Sequence, residues 1–337
     1  MKRTLDLRNY VNEAMRHPYV KGFAIHVHHD GADHVHTDGN LQENRRFFAA
    51  SVTKLFVTAC MLRLLDEKKL SLEDTVVSHL GDILPERFHT YKGHDYTDTL
   101  TIRHLMSNTS GLPDYFDKET TKRLLASQDE TWGLRPVIDY VKDKDAHFPP
   151  GHRKKAKYCD TNYQLLGAII EKNSGRSFAE NVSENITKPL NMKDSYMYDG
   201  REDKRLVNIF YKDKEIVLPQ YLASIGAEGG LVSTASDLNV FLRAFFAGEL
   251  FDKAHLPLLY DWRLLFGPGL FFYGVGISMQ PINLFKMKKG LIGHWGHSGA
   301  FAFHDPRLDV YLSGTVNQFV GHNKAVGVML KALKALR

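Results

Sequence analysis

Alternating apolar and polar positions near the start of the chain predict a β-hairpin. Residues 20–29 and 32–37 alternate in this way, and Asp30-Gly31 stands between them. An Asp-Gly pair between two alternating runs is the strongest short-range signal for a tight hairpin turn. We therefore expect the first two strands of the protein to pair here.

Helical periodicity dominates the middle third of the chain, and β-rich runs return near its end. Helices are predicted over 4–16, from Ser51 to Leu65, from Leu70 to Asp74, and over 101–106, 130–144, 162–172, 237–246 and 323–336, with a capping box at Ser177. Strands are predicted over 271–279, 291–295, 299–304 and 309–316. This order predicts an α/β (α+β) fold: residues 1–60 and 221–337 form a sheet domain, and residues 61–220 form a mostly helical domain.

The composition is that of an ordinary globular protein, since 43% of the 337 residues are hydrophobic and 25% are charged. The net charge is only +5, and the basic runs at 153–155 and 286–289 lack interleaved aromatic residues, so no nucleic-acid partner is expected. No apolar stretch approaches the roughly 18 residues of a membrane span. Residues 1–8 are basic but no apolar segment follows them, so we expect a cytoplasmic protein as written, or an exported one if a leader has been removed.

The hairpin is rich in histidine, and the chain has only two cysteines, Cys60 and Cys159. Two cysteines are too few for a disulfide framework. Histidines two apart on a strand share a face, so the hairpin forms either a metal site or a histidine-rich solvent face. No carboxylate is placed to complete a metal site, which favours the solvent face, and no metal or cofactor is expected. The histidines concerned are His26, His28, His29, His34 and His36.

Ser51 and Lys54 are three residues apart at the start of a predicted helix, so their side chains share one face. The unpaired amides and the positive end of the helix dipole point at any oxyanion that forms beside Ser51. Lys54 places a cation or a base within reach of the hydroxyl. Two other stretches bear chemical groups: a Tyr-Cys-Asp loop at 158–160, just before a helix, and a glycine-rich segment at 293–300.

Together these stretches resemble the serine β-lactamase and penicillin-binding-protein superfamily, on the branch of class C β-lactamases, D,D-carboxypeptidases and lactamase-like esterases. The S-x-x-K motif is matched by residues 51–54, the Y-x-N motif by 158–160 with Asp in place of Asn, and the H-x-G motif by 297–299. Weaker signatures at 104–113, 188–192 and 229–234 follow in the right order. The resemblance extends from about residue 20 to residue 320 and implies a β-lactamase/transpeptidase-like fold, an antiparallel sheet flanked by helices, with the active site between the two domains.

The resemblance also implies a mechanism without metal or cofactor. Ser51 becomes acylated, Lys54 and Tyr158 supply the base between them, and the backbone N–H groups of Ser51 and Ala300 bind the oxyanion. The residues expected to contact a small-molecule substrate are Asp160, His297, Ser298, Gly299 and Asn317.

Two departures from the family pattern refine this expectation. A carboxylate at Asp160 cannot donate a hydrogen bond, but beside Lys54 it should keep the lysine charged. A cationic Lys54 would then lower the pKa of Tyr158 and make the tyrosine the proton acceptor; the alternative role for Asp160 is a helix N-cap. His297 replaces a lysine that β-lactamases use to hold a substrate carboxylate, so this anchor is weaker and depends on pH.

We therefore predict a serine hydrolase acting on small esters, or on amides and peptides ending in a D-amino acid. The alternatives are a β-lactamase or penicillin-binding protein, a non-catalytic relative that binds a ligand in the same cleft, and a histidine-rich metal-binding protein. Cys159 is a rival nucleophile in principle, but its place inside the Tyr-x-Asp motif favours a packed thiol. No G-x-S-x-G, Walker A or H-E-x-x-H motif is present.

Overall fold

A computed structural model describes residues 5–152, 155–266, 271–282, 290–319 and 321–337. The α-helices of this part of the chain are α1 (Arg8–Met15), α2 (Thr53–Asp66), α3 (Val76–Leu80), α4 (Ile102–Met106), α5 (Lys118–Leu125), α6 (Leu134–Val141), α7 (Asp160–Ser174), α8 (Phe178–Val182), α9 (Pro219–Ser224), α10 (Gly226–Gly229), α11 (Ala235–Ala247) and α12 (His322–Ala335). Short 3-10 turns cover Gln42–Asn44, Ala50–Val52, Thr97–Thr99 and Lys253–Tyr260, and a π-helical turn covers Ser183–Thr187.

The strands in the same residues fall into one large sheet and three small ones. They are β1 (Gly22–His29), β2 (Ala32–Gly39), β3 (Arg46–Phe48), β4 (Thr90–Tyr91), β5 (His94–Asp95), β6 (Tyr196–Met197), β7 (Leu206–Val207), β8 (Ile209–Tyr211), β9 (Lys214–Ile216), β10 (Leu231–Ser233), β11 (Arg263–Phe266), β12 (Phe271–Tyr273), β13 (Ser278–Pro281), β14 (Gly290–Trp295), β15 (Ala300–Asp305) and β16 (Val310–Thr315).

The large sheet joins the two ends of the chain. Its eight strands run in the order β11-β12-β13-β14-β15-β16-β1-β2, and every neighbouring pair is antiparallel. The predicted hairpin is confirmed as β1 and β2. Asp30 and Gly31 at its turn both have positive φ, 50° and 72°, as a two-residue turn that matches the strand twist requires.

Helices cover both faces of this sheet because each face carries alternate apolar residues of the strands. On one face, α1 and α12 pack over a core that includes Val11, Phe23 and Met329. On the other face, α11 and α2 form the main core, in which the rings of Phe56 and Phe241 stack with centroids 3.8 Å apart. The helix that follows Ser51 is therefore fixed between the sheet and the helices of the middle segment.

Several predicted elements differ from the structure. Residues 70–74 form turns, and α3 begins only after Thr75, whose side chain accepts a hydrogen bond from Ser78 N–H. The predicted strand 271–279 is two strands, because the chain reverses through Gly276 with φ of +75°. Helix α5 is unpredicted because its sequence is mostly polar; the Asp117 side chain caps it.

The structure describes the predicted basic runs only in part. Arg153, Lys154 and residues 286–289 lie outside the described residues. The division into a sheet domain and a helical domain stays a prediction. No helix in the described ranges is long and apolar enough to cross a membrane.

Candidate active site

Ser51 lies on a short 3-10 turn between β3 and α2. The turn is held from both sides: Ser298 Oγ donates to Phe48 O at 2.6 Å, and Thr53 Oγ1 donates to Ala50 O at 2.7 Å. Ala50 has a φ of +46°, a left-handed conformation that a residue with a Cβ rarely adopts. Such a conformation persists only where its surroundings enforce it, and it is common at functional sites.

The structure shows why glycine is needed at position 296, in the glycine-rich segment that precedes β15. A Cβ at Gly296 would lie 2.3 Å from Ala49 O, so only glycine lets this segment pack against the Ser51 turn. At this position the glycine admits the protein's own backbone.

Lys54 is fully buried and makes three polar contacts. Its Nζ lies 3.0 Å from Ser51 Oγ, 2.7 Å from Glu228 O and 2.6 Å from Asp160 Oδ1. An ammonium group has three donors and no acceptor, and here each donor has one acceptor. The predicted proximity of Lys54 to both Ser51 and Asp160 is confirmed.

Two tyrosine rings enclose the same ammonium group. Lys54 Nζ lies 5.2 Å from the ring centroid of Tyr158 and 4.9 Å from that of Tyr163. The Tyr163 hydroxyl lies 2.6 Å from the Tyr273 hydroxyl, which lies 3.2 Å from His294 Nε2. His294 Nδ1 lies 2.6 Å from the carbonyl of the next residue, so Nδ1 donates and, in the neutral imidazole, Nε2 accepts. The Tyr273 hydroxyl then donates to His294 Nε2, and the Tyr163 hydroxyl donates to Tyr273.

Tyr158 differs from our expectation in its electrostatics. Its hydroxyl is buried beside Ser51, without a well-aligned hydrogen bond to any described residue. Burial first, and then the charge of Asp160, raise the pKa of Tyr158 well above its usual range, although its interaction with Ser51 lowers it. The predicted lowering of the Tyr158 pKa by Lys54 is wrong because burial and the charge of Asp160 outweigh the cation. Tyr158 is a neutral phenol in this site.

Asp160 is the first residue of α7, and the N-cap position belongs to Cys159, whose side chain makes no capping bond. The alternative reading of Asp160 as the N-cap is therefore wrong. The Asp160 N–H donates to Asp114 Oδ1 at 3.1 Å, and the Phe116 N–H donates to the same oxygen at 3.2 Å. Burial and the neighbouring charge of Asp160 raise the pKa of Asp114 to about 7.

Glu228 is a third buried carboxyl at the site, and sequence reasoning missed it. It lies on α10, where it accepts hydrogen bonds from the Tyr115 hydroxyl and, at 3.2 Å, from Gln164 Nε2. Burial, followed by the charge of Asp160, raises the pKa of Glu228 well above its usual range. The only signal in the sequence is a single acidic residue among the glycines at 226–230.

Replacing Asp114 with Asn is expected to stabilise the protein at alkaline pH. With a folded pKa of about 7 and an unfolded pKa of about 3.9, the folded state retains a proton that the unfolded state has lost. The free energy of unfolding therefore falls as pH rises through this window. Asn removes this penalty but keeps the Oδ1 acceptor, so we expect a gain of about 1–3 kcal/mol at pH 8 that vanishes near pH 4.

Urea unfolding at several pH values measures this difference. Asp82→Asn is the matched control, because Asp82 is an exposed partner of Lys172, which lowers its pKa. A gain for Asp114→Asn that is equal at pH 4 and pH 8 would contradict the ionisation argument.

His297, Ser298, Gly299 and Ala300 lie in the turn between β14 and β15 and at the start of β15. The His297 ring lies between those of Phe116 and Phe319, with centroids at 5.6 and 5.5 Å. Burial lowers the pKa of His297, so the imidazole is neutral near pH 7. Gly299 has a φ of +85°, and its N–H donates to Gly296 O at 2.8 Å, which fixes the turn that presents Ala300.

One cleft of about 710 Å³, including its open mouth, contains four of the predicted site residues. They are Ser51, Asp160, His297 and Ser298. Asn317 is fully buried and lies outside this lining, and its Nδ2 donates to Asn208 O at 2.8 Å. The structure thus does not bring Asn317 to the cleft, although it does bring together residues 51, 54, 158 and 160.

Both cysteines are buried, and burial keeps their thiols protonated. Cys159 is buried, with its Sγ 3.6 Å from Leu112 O and 3.5 Å from Pro113 O. Burial and nearby carboxyls raise the pKa of Cys159 well above its usual range, and burial raises that of Cys60 to about 12. A thiol held in the protonated form is a poor nucleophile, so Cys159 does not compete with Ser51.

The favoured solvent face is found only in part, since His28, His29, His34 and His36 are half-buried. His26 is buried, and His26 Nε2 and His28 Nδ1 each lie 2.8 Å from Asp33 Oδ1. The sequence alone did not place this carboxylate beside the histidines, but the pairing of β1 with β2 sets His28 opposite Asp33. Among the residues that the structure describes, no group of three His, Cys, Asp or Glu could hold a metal ion.

The Ser51 turn, the buried Lys54 and the H-x-G turn before β15 together define a protein of the serine β-lactamase and penicillin-binding-protein class. The chain belongs to the Beta-lactamase family, whose model matches residues 7–335. Penicillin-binding protein 4* of Bacillus subtilis is 30% identical over 295 residues, which are 81% of this chain and 59% of that protein. This chain thus spans about three fifths of that relative.

Solved structures confirm the β-lactamase/transpeptidase-like fold. A D-stereospecific amidohydrolase from Streptomyces sp. has a TM-score of 0.81 at 22% identity, covering 95% of this chain and 96% of that one. The D-amino acid amidase from Ochrobactrum anthropi SV3, in complex with L-phenylalanine amide, has a TM-score of 0.81 at 21% identity, covering 97% of each chain.

Proposed function

We propose that the protein is a serine hydrolase that acts through an acyl-enzyme at Ser51 on small esters, or on amides and peptides ending in a D-amino acid. The observation that carries this proposal is the 3.0 Å contact between Lys54 Nζ and Ser51 Oγ on the wall of an open cleft. A buried ammonium beside a hydroxyl stabilises the negative charge that develops on the oxygen as it attacks a carbonyl.

The neutral phenol of Tyr158 suits the role of proton relay. As Ser51 Oγ bonds to the carbonyl carbon, Tyr158 takes the Ser51 proton and passes its own proton to the leaving alcohol or amine. Water then attacks the acyl-enzyme by the same steps in reverse, so that neither step needs a phenolate. Lys54 remains cationic between Asp160 and Ser51 throughout.

The carbonyl oxygen would bind between the N–H groups of Ser51 and Ala300. The Ser51 turn and the turn before β15 pack together through Gly296, so both donors belong to rigid backbone. Donors that are fixed before the reaction stabilise an oxyanion without reorganisation.

The electrostatics of the cleft disfavour penicillins. A penicillin carries a carboxylate, whereas His297 is neutral near pH 7 and the Lys54 ammonium is already paired with Asp160 at 2.6 Å. Of the two proteins with this fold named above, one is a D-stereospecific amidohydrolase and the other is a D-amino acid amidase. These points support D-amino acid amides and simple esters over β-lactams as substrates.

Asp160→Asn is expected to slow acylation by about tenfold or more and to change its pH profile, because Lys54 loses the carboxylate 2.6 Å away. Stopped-flow acylation with a p-nitrophenyl ester measures both quantities. Asp139→Asn, which alters an exposed carboxylate paired with Arg135 at 3.0 Å, is the control. An unchanged rate and an unchanged pH profile would rule out the electrostatic role of Asp160.

The function itself is tested with a p-nitrophenyl ester, the amides of D- and L-phenylalanine and a fluorescent penicillin. We expect turnover of the ester or the D-amide and a mass increase equal to the acyl group on wild type, but not on Ser51→Ala. Neither turnover nor adduct with any of these compounds would contradict the proposal and favour a non-catalytic protein that binds its ligand in this cleft.

A further inference from the structure

Most of the cleft beside Ser51 is apolar. Its far wall is formed by side chains from α5, the β8-β9 hairpin, α9 and the segment after β16. These include Leu124, Leu125, Ile209, Ile216, Leu222 and Phe319. A concave, largely apolar wall with a few polar groups at one end is the usual form of a small-molecule site.

Most polar side chains on the lining are already bonded within the protein. Ser298 Oγ donates to Phe48 O at 2.6 Å, and Thr121 Oγ1 donates to Asp117 O at 2.8 Å. The Glu228 carboxyl accepts from Tyr115 and Gln164, and Asp160 pairs with Lys54 at 2.6 Å. A ligand in this part of the cleft therefore meets mainly hydrocarbon, which rewards burial of an apolar group.

The position of Tyr158 indicates which part of the substrate occupies this space. On the proposed function, the leaving atom takes its proton from Tyr158 and must lie on that side of Ser51. The lining of the cleft includes Ser51, Asp160 and Glu228 but not Tyr158. We therefore assign the apolar wall to the acyl side of the scissile bond, and the two ester series described below test this assignment.

We propose that the protein selects acyl groups with a large apolar side chain, aromatic or branched alkyl, over the methyl group of a D-alanyl residue. This inference rests on the proposed acyl-enzyme function and names its substrate class. The apolar lining comes from four separate segments of the chain, which is more surface than a methyl group can contact. A small acyl group would leave most of the wall unburied.

A series of p-nitrophenyl esters tests this inference, because the leaving group stays constant while the acyl chain grows from acetyl to octanoyl and to phenylpropanoyl. We expect kcat/KM to rise by about fourfold for each added methylene until the cleft is full. A second series keeps the acetyl group and enlarges the leaving alcohol, and there we expect little gain. A preference that follows the leaving alcohol would overturn the assignment to the acyl side.

Two variants narrow the cleft at different depths. Leu125, which is partly exposed, lies on the lining, and Leu222 is buried on the same wall. Leu125→Trp and Leu222→Trp are expected to lower the ratio of kcat/KM for the octanoyl ester to kcat/KM for the acetyl ester by about tenfold or more. Leu258→Trp is the matched control, because Leu258 is 38% exposed and lies outside the lining. Circular dichroism checks that each variant folds.

Failure of this inference is distinct from failure of the proposed function. If wild type hydrolyses all acyl esters equally well and the Trp variants lower every rate alike, the apolar selectivity is wrong while the serine hydrolase stands. If wild type hydrolyses none of the esters and forms no adduct at Ser51, the proposed function fails first. Retention of full octanoyl activity by both folded Trp variants would also overturn the inference.

Discussion

Replacing Lys54 with Met is expected to lower kcat/KM for a p-nitrophenyl ester by about 10²–10⁴-fold. The ammonium lies 3.0 Å from Ser51 Oγ and 2.6 Å from Asp160, so the variant loses the cation that stabilises the attacking oxygen. Burst kinetics should show loss of the acylation step itself.

The same substitution is expected to destabilise the fold by about 3–5 kcal/mol, because it leaves a buried carboxylate without its partner. Asp160 has the carboxyls of Asp114 and Glu228 close by, and its charge raises the pKa of both. Adding Asp160→Asn to Lys54→Met should therefore recover most of the stability but none of the activity. Urea unfolding and ester turnover of the single and double variants separate the two effects.

Lys69→Met is the control for the loss of a lysine. Lys69 is exposed and pairs with Glu67 at 2.8 Å, and surface pairs contribute little. Activity of Lys54→Met within threefold of wild type, once the folded fraction is accounted for, would contradict the proposed role of Lys54.

Replacing Tyr158 with Phe is expected to lower kcat/KM by about 10²–10⁴-fold with almost no loss of stability. The Tyr158 hydroxyl relays the proton in the proposed mechanism, yet it has no well-aligned hydrogen bond to a described residue. The ring that faces Lys54 at 5.2 Å is retained in the variant. Solvent isotope effects on acylation should fall as the relay is lost.

Tyr163→Phe is the matched control, since the Tyr163 ring faces the same ammonium at 4.9 Å. Its hydroxyl bonds to Tyr273 at 2.6 Å, so its removal should cost about 0.5–1.5 kcal/mol of stability and little activity. Tyr158→Phe is therefore expected to lower the rate but not the stability, whereas Tyr163→Phe is expected to lower the stability but hardly the rate. Equal loss of activity in both would show that the aromatic enclosure of Lys54, and not the Tyr158 hydroxyl, governs the rate.

Local sequence patterns predicted the parts of the site that depend on local geometry. The pairing of Ser51 with Lys54 follows from a three-residue spacing on a helix, and the hairpin follows from Asp30-Gly31 and the alternation around it. The contact between Asp160 and Lys54, which are more than a hundred residues apart, could be predicted only because the family resemblance implies it. Periodicity alone contains no such information.

The remaining features depend on tertiary burial, which a single sequence does not reveal. The pKa of Tyr158 rises where proximity to a lysine suggested a fall, because burial outweighs the cation. Glu228 joins the site from α10 and Asp114 from the segment before α5, and neither belongs to a motif used in the prediction. The apolar wall combines side chains from four segments that are distant in the sequence. Asn317, just after β16, points its amide at Asn208 O instead of lining the cleft.

The identity of the nucleophile is the central claim, and peptide mapping after trapping with an activated fluorophosphonate tests it most directly. We predict one adduct, on the peptide that contains Ser51, in wild type and in Cys159→Ser, and none in Ser51→Ala. An adduct that persists in Ser51→Ala, or that maps to Cys159 or another residue, would contradict the account.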